Sequence, residues 1–299
     1  MPGRPDVLTR QKTVLSLLTQ AGRPLSPTVF VKLVFLLRQE TGLERDPTFY
    51  DFVPYQRGPF SFTLYRELGS LRQNGYVTPE EERIALCGRT LDLAEKEAEG
   101  LPSSTQTAVA DVLGRYGRMN QRDLVRNVYT RYPWFALNSK LPERDLVPIQ
   151  RPKKAPPAVY TAGYEGRSVD AFFNDLLKRG IHVVVDVRAN PISRKYGFSG
   201  LRLGEFCKKL GLEYRHVPSL GIPSNARAGL NGFASYQRLL NRYEQTMLPD
   251  RSAEVEDVGR LMRRQPSVLV CVEKDVRCCH RSRLAEAVAQ TTGLEVVHL

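Results

Sequence analysis

The sequence has little cysteine, five residues in 299, an odd number and too few for a disulfide scaffold. The simplest reading is reduced thiols and a cytoplasmic protein. It also lacks a long apolar run. The best stretch, Val29 to Leu37, is interrupted by Lys32 and falls well short of the ~20 residues of a membrane span, so no membrane partner is expected. Met1 to Lys12 is polar, with neither an apolar stretch nor a small-residue cleavage site, which argues against secretion. No internal repeat or long low-complexity tract is evident. What is there is globular: 41% hydrophobic and 25% charged residues, in a length that allows one large or two ordinary domains. Lys and Arg outnumber Asp and Glu by 44 to 32, a formal charge of +12, which favours polyanionic partners without defining a fold or a site.

The clearest change of composition is Leu141 to Ala158, where five prolines interrupt the apolar periodicity. Proline removes backbone donors and fixes φ, so this segment is expected to be an extended, exposed linker (141–158) between residues 1–140 and 159–299. Before it, apolar stripes predict a helix through Val14 to Leu18 ending at Gly22. A second helix starts at Ser26-Pro27 and stops near Gly42, and a third spans Ser61 to Asn74. Tyr76-Val77 and Arg83 to Leu86 form a candidate hairpin. Two further helices lie near Ser104 to Tyr116 and Asn120 to Tyr132, with Asn120 as N-cap. Helix, helix, helix, hairpin is the order of a winged helix-turn-helix, so a mainly α domain with a winged-helix-like unit is expected.

The segment YDFVPYQRGPFSFTLYRELGSLRQNGYV (Tyr50 to Val77) resembles the helical, winged-helix-like half of YwgA-like and SocA-antitoxin-like bacterial proteins. That resemblance implies a module for protein or DNA interaction and no catalysis. The aromatic residues are equally the composition of a core and turn.

From Ala158 the pattern alternates strand and helix. Strands are expected at Ala158 to Ala162, Ile181 to Val187, Glu213 to Val217, Ser267 to Glu273 and Glu295 to Leu299, the last at an edge. Helices are expected after Ser168, at Leu203 to Leu210, Tyr236 to Met247, Glu254 to Arg263 and His280 to Thr292. This predicts an α/β domain with a mostly parallel sheet. Ligands of such sheets collect beyond the carboxyl ends of the strands. Three clusters fall there: Tyr164, Glu165 and Arg167; Asp186, Arg188, Asn190 and Ser193; and Cys271, Glu273, Cys278, Cys279, His280 and Arg281.

The motifs carrying these clusters, YTAGYEGRS, VDVRANPISRKYGFS and LVCVEKDVRCCHRSRLAE, resemble the DUF488 family from about Tyr160 to Leu299. The resemblance implies an α/β domain with the three motifs at one site, and no substrate. Chemistry then rests on residue types. Asp186 and Glu273, with Glu165 nearby, are candidate acid/base carboxylates. Arg188 and Arg281 are candidate phosphate contacts, and His280 is placed with them. Cys279, expected in the first turn of a helix beside His280 and Arg281, is a candidate nucleophile because amides and cations there favour thiolate. The plainer readings are an ion pair for Asp186 and Arg188 and an inert core thiol for Cys271. Zinc at Cys271, Cys278, Cys279 and His280 lacks a CxxC or a separated HxxxH pair, so neither metal nor cofactor is expected.

Between the clusters, Arg194 and Lys195 alternate with Tyr196 and Phe198, which suits a phosphate backbone with stacked bases and equally describes a solvated loop. Gly221 to Gly232, with Arg227, is a candidate lid. The first expectation is a nucleic-acid-processing hydrolase, DNA ahead of RNA, cleaving a glycosidic bond in repair or base modification. The alternatives are a DNA-binding or antitoxin-like regulator with an anion-sensing α/β half and a protein partner for the N-terminal half, and a thiol enzyme using Cys279. Residues 1–150 hold 20 Lys+Arg against 17 Asp+Glu, and residues 151–299 hold 24 against 15. The basic excess therefore sits with the second half, which moves the polyanion toward the α/β domain.

Overall fold

The structure is a computed structural model that describes residues 6–227 and 231–299. The chain forms two compact units, Met1–Arg151 and Pro152–Leu299.

The first unit contains helices α1 (Thr9–Ala21), α2 (Pro27–Glu40), α3 (Phe62–Gln73), α4 (Leu91–Glu99), α5 (Ser103–Tyr116) and α6 (Gln121–Arg131). Short polar side chains start three of them: Ser26, Ser61 and Asn120 accept hydrogen bonds from the amides of Val29, Leu64 and Asp123, which satisfies donors a helix cannot pair internally. The aromatic run before α3 folds as a hairpin of β1 (Val53–Tyr55) and β2 (Gly58–Phe60). The expected Tyr76 to Leu86 hairpin is reduced to single antiparallel bridges, Val77 to Leu86 and Leu25 to Ile84. Helix α2 is buried almost all round, and its Phe35 ring meets Phe52, Tyr132 and Phe135 edge-on. Every residue of the run 29–37 is buried, Lys32 among them, and the Lys32 ammonium donates to the Arg57 carbonyl at 2.7 Å. The expected linker is partly packed, because Leu141, Val147 and Ile149 rest against this core and Pro142–Leu146 makes a short 3-10 turn. Its apolar side chains outweigh the extending effect of its prolines.

The second unit is a five-stranded, wholly parallel sheet. Its strands are β3 (Val159–Gly163), β4 (Val183–Asp186), β5 (Glu213–His216), β6 (Ser267–Cys271) and β7 (Val296–His298), in spatial order β5-β4-β6-β3-β7. Helices α7 (Val169–Lys178), α8 (Gly200–Leu210), α9 (Gly232–Arg242), α10 (Ser252–Arg264) and α11 (His280–Thr292) connect them. Strands β3, β4 and β6 are buried along their whole length, which is why they read as continuous β-branched or apolar runs. Val183, Val185 and Leu269 share a core with Val258 and Met262 of α10 and Leu284 and Val288 of α11. Phe172 and Phe173 of α7 pack edge-on against Phe198 and Phe206. Ser168 caps α7 through the Ala171 amide, as its position before the apolar stripe predicts. Helix α9 runs into a π-helical turn, Tyr243–Met247, before α10. No described helix is long and apolar enough to cross a membrane.

Candidate functional site

The carboxyl ends of β3, β4 and β6 lie side by side, with Gly163 paired to Cys271 and Asp186 paired to Val270. Two polar clusters form there.

The first is closed. The Arg188 guanidinium grips the Asp186 carboxylate through Nε (2.7 Å) and Nη2 (2.5 Å), and its Nη1 donates to Tyr164 Oη and to the Phe198 carbonyl, both at 2.8 Å. Tyr214 Oη donates to the same carboxylate at 2.8 Å. Asp186, Arg188 and Tyr164 are buried, and Tyr164 stacks on Phe198 with ring centroids 4.1 Å apart. Burial alone would lower the Arg188 pKa, but the Asp186 carboxylate and Tyr164 hold it above its ordinary value. Asp186, expected as an acid/base carboxylate, and Arg188 and Tyr164, expected to bind substrate, turn their polar atoms toward one another, and the Arg188 bond to the Phe198 carbonyl ties down the loop after β4. Tyr214, which completes the network from β5, gave no signal in the short sequence Glu213–His216. His216, on the same strand, is exposed and bonds the Arg188 carbonyl through Nε2 at 2.8 Å.

The second cluster joins β6 to the start of α11. Cys271, Cys279 and His280 are buried, with donor atoms all within 4.8 Å of one another. Cys271 Sγ donates to Glu273 Oε2 at 3.3 Å and lies 3.7 Å from His280 Nδ1. His280 Nε2 bonds the Val187 carbonyl at 3.0 Å; a carbonyl only accepts, so this nitrogen carries a proton, and Nδ1 is the ring nitrogen that faces the Cys271 sulfur. The Tyr243 ring meets the imidazole edge-on at 5.4 Å. Cys279 is the N-cap of α11 rather than a residue of its first turn. Burial, then a hydrogen bond with Cys271, pushes its thiol well above the ordinary range, against a smaller opposing effect of His280. Desolvation here opposes the thiolate that a helix terminus would favour. Cys278 is partly exposed and stands outside the cluster.

Glu273 is at the mouth. Its side chain is 25% exposed, and Oε1 faces Arg227 Nη1 at 3.8 Å while Oε2 turns inward to Cys271. Burial raises the Glu273 carboxyl, but hydrogen bonds from Cys279, its own amide and Cys271, with the Arg227 charge, bring it below its ordinary value. Arg281, expected to hold phosphate, is buried, and its Nη1 and Nη2 donate to the Glu273 and Lys274 carbonyls. It clamps the loop instead. Glu165 is exposed, and its Oε2 accepts from the Lys274 amide at 2.9 Å. Gly163 fits between these parts because a Cβ there would lie 2.0 Å from the Glu273 carbonyl.

The remaining expected residues form a rim or lie apart from it. Arg167 bonds Asp175 on α7 and covers the Phe172 ring, which takes it away from the site. Asn190 and Ser193 accept from the Ile192 and Lys195 amides within the loop itself. Lys195 Nζ donates to the Tyr164 carbonyl at 3.0 Å, and burial lowers its pKa. Arg194 is exposed, and the Tyr196 ring rests edge-on near Phe206. Of the candidate lid, Arg227 is described, whereas positions 228–230 lie outside the described residues.

A parallel α/β sheet with its polar residues gathered beyond the carboxyl ends defines the C-terminal unit. The family model "Domain of unknown function DUF488" matches residues 168–288, so this unit carries a DUF488 domain. No curated protein and no solved structure matches the chain.

Proposed function

We propose that the C-terminal unit is a nucleic-acid-processing hydrolase that acts at a base, by glycosidic-bond hydrolysis, with Glu273 as the carboxylate that activates water. The observation that carries this reading is the orientation of Glu273. Of the carboxylates named for catalysis, it alone lies at the mouth with one oxygen held inside the site and the other directed outward beside a cation, Arg227. Asp186 is buried in its ion pair, and Glu165 is exposed and committed to a backbone amide. DNA is the favoured substrate. Arg194 and Lys274 are exposed on the loops that follow β4 and β6, where they are available to phosphates, and residues 151–299 carry most of the basic excess.

The test is a screen of single- and double-stranded oligonucleotides bearing damaged bases, with products identified by mass spectrometry. Glu273→Gln should lower turnover by roughly 100-fold or more while leaving oligonucleotide binding within a few-fold. Turnover that is unchanged in this variant removes Glu273 from the chemistry. The absence of any product from a substrate that binds tightly turns the reading to a non-catalytic binder.

A further inference from the structure

We propose that Cys271, Cys279 and His280 form a binding site for a single zinc ion, with Glu273 beside it at the mouth. The inference concerns the same end of the sheet as the proposed hydrolase but does not depend on nucleic acid.

The first argument is chemical. Three side chains that offer lone pairs meet in one place, two sulfurs and an imidazole nitrogen, and a Glu273 oxygen lies 3.3 Å from one of the sulfurs. Among them the only hydrogens are those of two thiols, which are weak donors. Arg227 faces the outer oxygen of Glu273 at 3.8 Å, on the side away from Cys271. Lone pairs gathered in a buried place call for a cation, and two sulfurs with one imidazole suit zinc better than magnesium or calcium.

The second argument is geometric. For Zn–S of about 2.3 Å and Zn–N or Zn–O of about 2.0 Å, the edges of a tetrahedron between sulfur and a lighter donor are about 3.5 Å. The edge from Cys271 Sγ to His280 Nδ1 is 3.7 Å, and that to Glu273 Oε2 is 3.3 Å. Both lie close to the tetrahedral value.

The third argument concerns what surrounds the donors. The bond from His280 Nε2 to the Val187 carbonyl fixes the ring with Nδ1 inward, the outer partner that a zinc-binding imidazole ordinarily has. Arg281 fixes the backbone of Glu273 through its carbonyl. Glu273, partly exposed, supplies the way in. Binding breaks two S–H bonds: Cys271 and Cys279 each release a proton to solvent, and both sulfurs coordinate as thiolates. No oxidation occurs and no other reactant is needed.

The experiment uses the full-length chain, reduced and stripped of metal, titrated with zinc alone in competition with a chromophoric chelator and with cobalt(II) alone. One equivalent of zinc should bind. Cobalt should give the intense visible bands of a tetrahedral ion with a thiolate charge-transfer band. Cys271→Ser, Cys279→Ser and His280→Gln should each weaken zinc by at least ~100-fold, more than the 10- to 100-fold typical of losing an outer partner, and Glu273→Gln by about 10-fold. Cys278→Ser and Cys87→Ser should leave affinity unchanged. Because a ligand variant can also fail to fold, the cobalt spectrum of the unaltered protein is decisive by itself. No stoichiometric uptake, an octahedral cobalt spectrum, or loss of binding only with Cys278→Ser would overturn the proposal. If zinc binds and no oligonucleotide is turned over, the hydrolase reading fails and the metal site stands; turnover by a protein that takes up no zinc gives the reverse.

Discussion

Arg188 holds Asp186 by two parallel hydrogen bonds inside the second unit, at 2.7 and 2.5 Å, with almost no exposure of either side chain. A planar guanidinium matched to a carboxylate is the arrangement in which removing one partner is most damaging, since the other is left charged and buried. Arg188→Leu and Asp186→Asn are each expected to lower unfolding free energy by about 3–5 kcal/mol, read from urea denaturation. The double variant should cost clearly less than the sum of the singles. Single variants of native stability that are merely inactive would return the pair to a catalytic role.

The thiols should separate by accessibility. Native, reduced, metal-free protein treated with iodoacetamide at neutral pH should be labelled at Cys87 and Cys278, which are partly exposed, and protected at Cys207, Cys271 and Cys279, which are buried. Peptide mapping reads the result. Early labelling of Cys279 would restore the thiol-enzyme alternative.

Lys32 predicts a pH dependence in the first unit. Burial lowers its ammonium from 10.5 to about 7, against a smaller raising effect of Glu143. Between those two values the unfolded chain holds more protons than the folded one, so this residue makes stability rise with pH across that window. Its cost is fully present below about pH 7 and gone above about 10.5. Lys32→Met should therefore stabilise at pH 6 by on the order of 2 kcal/mol, with the gain shrinking as pH rises. Denaturation curves of both proteins at several pH values check the sign. A gain that grows with pH contradicts it.

Gly163→Ala tests the contact between β3 and the loop after β6. The added methyl would lie 2.0 Å from the Glu273 carbonyl oxygen and 3.1 Å from Arg281 Nη2, so the loop must move. A stability loss of about 1–3 kcal/mol is expected, by overpacking, together with disturbance at Glu273. Thermal unfolding and the zinc titration measure the two effects separately.

Much of this fold is visible in the residues themselves. Ser26, Asn120 and Ser168 mark helix starts, and the β-branched run at 181–187 marks a strand buried on both faces, as the structure has it. Helix α4 escapes notice because only Ala94 of its residues is fully buried, which leaves little apolar stripe to read. The π-helical turn at Tyr243–Met247 likewise has no pattern of its own. At the site, the positions of Asp186, Glu273 and Cys279 follow from the strand ends, but their roles depend on facts of packing. Asp186 and Arg188 are two residues apart, and nothing in that spacing tells a substrate-facing pair from one turned on itself. Cys279 looks activated from its place before a helix until its burial is known. The three metal-capable donors lack the familiar spacing because one comes from a strand end and two from the next helix start. Only the tertiary fold brings them together.

The order β5-β4-β6-β3-β7 also bears on how the second unit is made. Strands β3 and β4 have no ladder with each other; both pair with β6, the fourth of the five in chain order. The central strand thus arrives after the two it joins, and the ends of 159–163 and 183–186 are bridged only once 267–271 has entered between them. A nascent chain halted before Ser267 carries these strands without their common neighbour. Assembly of this sheet is consequently a late, long-range event, slow relative to helix formation, and the carboxyl edge that holds Asp186, Glu273 and His280 comes into being in the same step.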